Sequence, residues 1–206
     1  MQVPSGRWGE ILGRELTAKL SKSDVFHALP ERQALYIWKR DLRVPAAIQS
    51  SPTALADWVR AEISRPYGSV DHIRISHFAS LSRFTIGGGE PTEAKIQALQ
   101  RLCHFPAGRR LIVQLFAEIN RITPALYVGE AESLPSRVWE HLTGQSDFSR
   151  RLTDQMDLDW DRLVLHYFVL PKIPKPERRD SAKEMRTLLE YVATRLAIGT
   201  SVSRIG

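Results

Sequence analysis

ALYVGEAESLPSRVWEHLTG, residues 125–144, is the stretch on which the reading of this chain turns. It opens as a short strand, ALYVG (125–129), crosses the loop EAES and enters a helix whose expected N-cap is Ser133. Leu134, Val138 and Leu142 recur at helical spacing and form the expected buried stripe, and Gly144 ends the helix. Arg137 and His141 are four residues apart, so they share a helix face offset from that stripe, from which both can point into a groove. Arginine offers a planar, permanently charged fork that suits a phosphodiester. Histidine can carry a proton near neutral pH or hydrogen-bond a phosphate.

Working outward, ALYIWKRD (34–41) is aromatic and β-branched and reads as a strand, with Leu35 and Ile37 on one side and Tyr36 and Trp38 on the other. RLVLHYFVLP (162–171) is an apolar run expected of a central strand, and His166 within it reads as a core histidine. Downstream, Ser181-Ala182-Lys183-Glu184 fits a capping box and starts a helix striped by Met185, Leu188, Leu189, Val192 and Leu196. That helix carries Arg186 and Glu190, and Glu190 offers a hard oxygen ligand. Upstream, Trp8, Ile11, Leu12, Leu16 and Leu20 predict a helix in an N-terminal arm, 1–30, closed by Pro30.

Between the two tyrosine-bearing strands lies a block of its own, at about 45–123. Helices are predicted from Ser51-Pro52, from Thr92, and over Leu111, Ile112, Leu115, Phe116, Ile119 and Ile122. DHIRISHF (71–78) and SRFTI (82–86) read as strands, the second stopped by Gly87-Gly88-Gly89. Its arginines, among them Arg60, Arg65 and Arg109, could contact a nucleic-acid backbone or belong to a structural cap or dimer surface.

Composition narrows the classes. Of 206 residues, 43% are hydrophobic and 25% charged, the balance of a globular chain and not of a disordered one. No apolar run approaches the roughly 20 residues of a membrane span. One cysteine, Cys103, excludes an internal disulfide and a cysteine-built zinc site, and makes a reducing cytoplasm the expected location. A net charge of +6 favours a polyanionic partner.

The strand with Tyr36-Ile37-Trp38-Lys39, the strand with Tyr127-Val128-Gly129, the helix with Arg137 and His141, and the late helix with Glu190 together resemble the GIY-YIG nuclease family. The resemblance covers 31–44 and 124–206. It implies an α/β (α+β) fold with a small antiparallel mixed sheet flanked by helices. That domain would span 31–206 and be interrupted by an inserted α/β subdomain. The implied activity is metal-dependent, single-step hydrolysis of nucleic-acid phosphodiesters, with DNA ahead of RNA. By the resemblance the catalytic set is Tyr36, Tyr127, Arg137, His141 and Glu190. Tyr36 or His141 would assist the nucleophile, Arg137 would stabilise phosphoryl charge, and Glu190 would hold one Mg2+ (or Mn2+). Lys39 and Arg186 would bind substrate. One site cuts one strand at a time, so cleavage of both strands would call for a homodimer.

The chain also departs from the family pattern. Ala34 stands where glycine is usual, Glu130 follows Tyr-Val-Gly, the tail AIGTSVSRIG (197–206) lacks an asparagine, and about eighty residues replace a short hairpin. Ala34 is tolerable in an extended backbone, whereas Glu130, the missing asparagine and the insertion support the alternative expectation of a non-catalytic nucleic-acid-binding or protein-interaction module on the same fold.

Overall fold

The structure is a computed structural model. It describes residues 7–19, 21–65, 68–70, 73–74, 80–81, 84–86, 89–156, 158–171, 183 and 186–193. Along the chain run β1 (Trp8–Leu12), α1 (Gly13–Thr17), α2 (Lys22–Ala28), β2 (Ala34–Arg40), α3 (Pro52–Ser64) and four short strands. These are β3 (Gly68–Val70), β4 (Ile73–Arg74), β5 (Ser80–Leu81) and β6 (Phe84–Ile86). Then follow α4 (Glu93–His104), α5 (Pro106–Ile122), β7 (Ala125–Ala131), α6 (Leu134–Leu142), α7 (Asp147–Met156) and β8 (Leu163–Val169). Residues 186–193 are helical. The capping box at 181–184, the tail 197–206 and the loop at 87–88 lie outside the described residues in whole or in part.

The chain divides into two compact units. The first is drawn from Met1–Asp41, Thr123–Thr153 and Leu158–Gly206, the second from Leu42–Ile122 and Asp154–Asp157. The first is built on a four-stranded antiparallel sheet in the order β1-β8-β2-β7. β2 lies inside the sheet, which is why ALYIWKR is buried on both faces for most of its length. Strand alternation divides its residues: Ala34, Tyr36 and Trp38 share one face with their rung partners Val169, Tyr167 and Leu165 on β8. Aromatic rings from the following helices pack on that face, with Phe148 stacked on Trp38 at 6.3 Å between centroids.

The N-terminal helix predicted from Trp8, Ile11 and Leu12 is corrected by the structure, in which Trp8–Leu12 is the edge strand β1. A stretch of five residues is too short for its apolar spacing to decide, and here pairing with β8 does. Glu10 pairs across to His166 at 3.6 Å, and Gly9 leaves room for the Tyr167 ring, into which a Cβ would project. Leu16 is helical as expected, but in the short α1, where it is buried, and α2 begins separately at a Ser21/Asp24 capping box.

In the second unit, α3, α4 and α5 enclose Leu42, Val44, Leu55, Val59, Cys103, Ile112 and Phe116. RLIVQLF is helical, inside α5, as its period predicts. Ser51 caps α3 through the Ala54 amide, with Pro52 at the first position. Of the strand expected over 71–78, the described part is β4, and of SRFTI it is β6; they pair with β5 and β3 respectively.

β2 and β7 pair directly although the whole of Leu42–Ile122 runs between them. Tyr36 lies opposite Gly129, Trp38 opposite Tyr127, and Lys39 opposite Ala125 after a register shift.

Candidate functional site

The β2–β7 rungs bring the two tyrosines together, with ring centroids 5.9 Å apart. Gly129 makes this possible. A Cβ at that position would collide with the Tyr36 hydroxyl and ring, so the glycine of Tyr-Val-Gly is required by side-chain room across the rung. α6 then crosses the face that carries Tyr36. Leu134 and Val138 are fully buried and fix its rotation. Ser133 stands at the N-cap, but its hydroxyl donates to Ser136 Oγ and accepts no helix amide.

That rotation separates Arg137 from His141. His141 has no exposed surface and does not reach the groove expected for it. Its ring is surrounded by Tyr36, Trp38, Tyr127, Phe148 and Trp160. Its Nε2 lies 2.9 Å from the Tyr36 hydroxyl and its Nδ1 2.6 Å from Ser146 Oγ. Burial first and the Arg137 charge second push its pKa down to about 3, so the ring is neutral across the physiological range. The ionisable groups facing it are Tyr36 from β2, Tyr127 from β7 and Arg137 from its own helix.

Tyr36 is also without exposed surface. Besides His141, it meets Arg137, whose Nε donates to its hydroxyl at 3.3 Å. Burial, and then the neighbouring Tyr127, hold the Tyr36 pKa well above the ordinary tyrosine value; Arg137 acts against them. Tyr36 therefore stands as a neutral hydroxyl behind Arg137.

In front of it lies a groove of about 610 Å³, lined by Tyr127, Ser133, Ser136 and Arg137 together with Glu130, Glu132, Glu140 and Glu190. Arg137 NH1 donates to Glu140 at 2.6 Å, and Arg186 Nε donates to Glu130 at 2.8 Å. The Arg186 side chain is only 10% exposed, so its charge balances Glu130 and is not presented to the groove as the sequence led one to expect. Glu190, one turn further along that helix, is half-buried. Burial and then Glu130 raise its pKa, against Arg137. A carboxylate held beside another carboxylate in partial burial gains from a divalent cation, and Mg2+ uses one or two protein oxygens and otherwise water. Glu190 with Glu130 fits that donor chemistry. No cluster of three or more His, Cys, Asp or Glu suited to a metal occurs among the described residues.

Lys39 is not in this groove. Alternation along β2 turns it to the face opposite Tyr36, where Glu10 is its charged neighbour; burial lowers its pKa and Glu10 counteracts this. In the second unit, Arg60 pairs with Glu90, and Arg109 donates to the carbonyls of Cys103 and His104 at the end of α4.

Sequence reasoning missed Ser146 and Ser149. Both are buried, and they cap each other at the start of α7: the Ser149 amide donates to Ser146 Oγ, and the Ser146 amide donates to Ser149 Oγ. The signal was present as Gly144-Gln145-Ser146, a helix stop followed by an N-cap residue. Compared with protein-family models, with curated proteins and with solved structures, the chain has no match. No helix among the described residues is long and apolar enough to cross a membrane.

Proposed function

We propose that the chain is a metal-dependent endonuclease of GIY-YIG-like fold that hydrolyses nucleic-acid phosphodiesters, with DNA the first substrate to test. The observation that carries this reading is the meeting of Arg137, Tyr127 and Glu190 on one groove, backed by the Tyr36–His141 pair. Residues remote in sequence converge there in the combination that phosphodiester hydrolysis needs: a fork for the phosphate, a hydroxyl for water and a hard ligand for a cation.

Hydrolysis adds water across a P–O bond. The water oxygen ends on phosphorus, and the released sugar oxygen ends protonated. Arg137 faces the phosphoryl oxygens, where charge grows, once Glu140 yields to the phosphate. The Tyr127 hydroxyl, which borders the groove, orients the attacking water. Tyr36 and His141, being buried, hold Arg137 from behind. Glu190 would hold Mg2+ or Mn2+, which when bound would supply positive charge to offset the charge that develops on the leaving group. The four carboxylates around the groove support a cation as intermediary between protein and phosphate, since they would repel a bare phosphate.

The second reading, a non-catalytic binding module, draws on the same ion pairs: in the free protein Arg137 is held by Glu140 and Arg186 by Glu130. Supercoiled plasmid decides between the two. Wild type with Mg2+ should nick it, and Glu190→Ala should lose about 10²–10³-fold of the rate, as when one charge-stabilising group is removed. Mg2+ should also raise the Tm of wild type but not of Glu190→Ala. Binding without nicking would favour the module.

A further inference from the structure

The polar groups behind Tyr36 form one uninterrupted line. Arg137 can only donate, so the Tyr36 oxygen accepts at that end. At the other end the Ser149 hydroxyl donates to the Ser146 carbonyl at 2.7 Å, so its proton is committed. Ser146 Oγ and Ser149 Oγ are 3.0 Å apart, and with the Ser149 proton committed elsewhere only the Ser146 proton can lie between them. Ser146 then has no proton for His141. The 2.6 Å contact must be His141 Nδ1 donating to Ser146 Oγ. Nε2 is left as an acceptor, and it takes the Tyr36 proton at 2.9 Å. In the opposite tautomer Ser146 would donate to His141, and the Ser149 proton would have to leave the Ser146 carbonyl to bridge the two serine oxygens, which gives up the 2.7 Å bond in a dry site.

We propose that Ser146 is a positioning residue for Arg137: with Ser149 it holds His141 as the Nδ1-protonated tautomer, which turns the Tyr36 proton inward and leaves the Tyr36 oxygen to seat the guanidinium. Head-to-tail chains of this kind polarise each member in one sense. The catalytic consequence rests on the nuclease reading above, whereas the tautomer does not.

Two measurements test it. The first needs no activity: long-range 1H–15N spectra of 15N-histidine-labelled protein, with His141 assigned through the backbone. Wild type should show His141 with its proton on Nδ1. Ser146→Gly removes the hydroxyl, and glycine is nearly as good an N-cap as serine, so the start of α7 is kept while the proton shifts to Nε2 or divides between the nitrogens. Ser146→Thr, which restores a hydroxyl, should restore the wild-type pattern. A proton on Nε2 in wild type, or an unchanged pattern in Ser146→Gly, overturns the proposal.

The second measurement is plasmid nicking with Mg2+. Ser146→Gly should lower kcat about tenfold with KM within twofold, and should add nothing in an Arg137→Ala background. Equal losses with and without Arg137 would show that Ser146 acts on the fold at large and would overturn the positioning role. If wild type nicks nothing, the nuclease reading falls, and the spectra still decide for or against Ser146.

Discussion

Two regions meet at the Tyr36 hydroxyl and treat polar groups in opposite ways. Behind it, His141, Ser146 and Ser149 are buried and neutral, and their hydrogen bonds close on one another. In front of it, Arg137 with Glu140, Arg186 with Glu130, and Glu190 are charged and stand at or near a groove. The rear region suits permanence, because a buried hydrogen bond left unmade costs about 1–3 kcal/mol and so holds one geometry. The front suits exchange at Arg137–Glu140, because a partly exposed ion pair is worth about 1 kcal/mol or less and gives way to a ligand. A rigid back with a replaceable front is what a site needs when one partner must be preplaced and another must arrive.

The largest break in this contrast should come from Gly129→Ala. Its methyl would enter the space of the Tyr36 hydroxyl and disturb the rear chain and Arg137 together. We expect a loss of about 1–3 kcal/mol in urea unfolding, typical of overpacking, and loss of whatever activity Arg137 supports. Retention of both would mean the rung opposite Tyr36 is looser than described.

Acid should separate the regions next. His141 has a folded pKa of about 3, whereas an unfolded histidine sits near 6.5. Between those values the unfolded chain binds a proton that the native chain refuses, so stability is full above pH 6.5 and falls as the pH drops toward 3. Urea midpoints measured across that window should decline more steeply for wild type than for His141→Gln, which still offers Tyr36 an acceptor but cannot titrate.

The smallest effect is expected at the front. Glu140→Gln frees Arg137 of a partly exposed partner and should lower KM for plasmid by about twofold to fivefold, within the value of such a pair. A raised KM would make Glu140 a positioning group for Arg137 and not its competitor.

The front of the site was more legible in the sequence than the back. Tyr127, Arg137 and Glu190 stand on elements with strong local signals, and the structure brings all three to the groove. His141 was singled out by spacing from Arg137, but spacing cannot tell a side chain at the groove from one turned under the helix. A small rotation of α6, set by Leu134 and Val138, decides that. The resemblance implies Lys39 and Arg186 as substrate contacts, and both are answered by acidic neighbours, Glu10 and Glu130, that pattern alone does not pair. Ser146 has a local signature as a cap, yet its contact with His141 exists only once α7 folds back on α6. The same limit applies to β1: Trp8–Leu12 takes its conformation from β8, about 150 residues away, and not from its own period.

The rung that sets Lys39 against Ala125 also bears on how the native state is reached. Two segments about eighty residues apart must find each other before the β7 edge of the sheet exists. The entropy of closing so long a loop grows slowly, about 0.6 kcal/mol per doubling, but the search is non-local and therefore slow. Helices α4 and α5 are consecutive in the chain and can gather first. The groove rests on rungs of this non-local ladder, so we expect it to become native later than the local helix pairs.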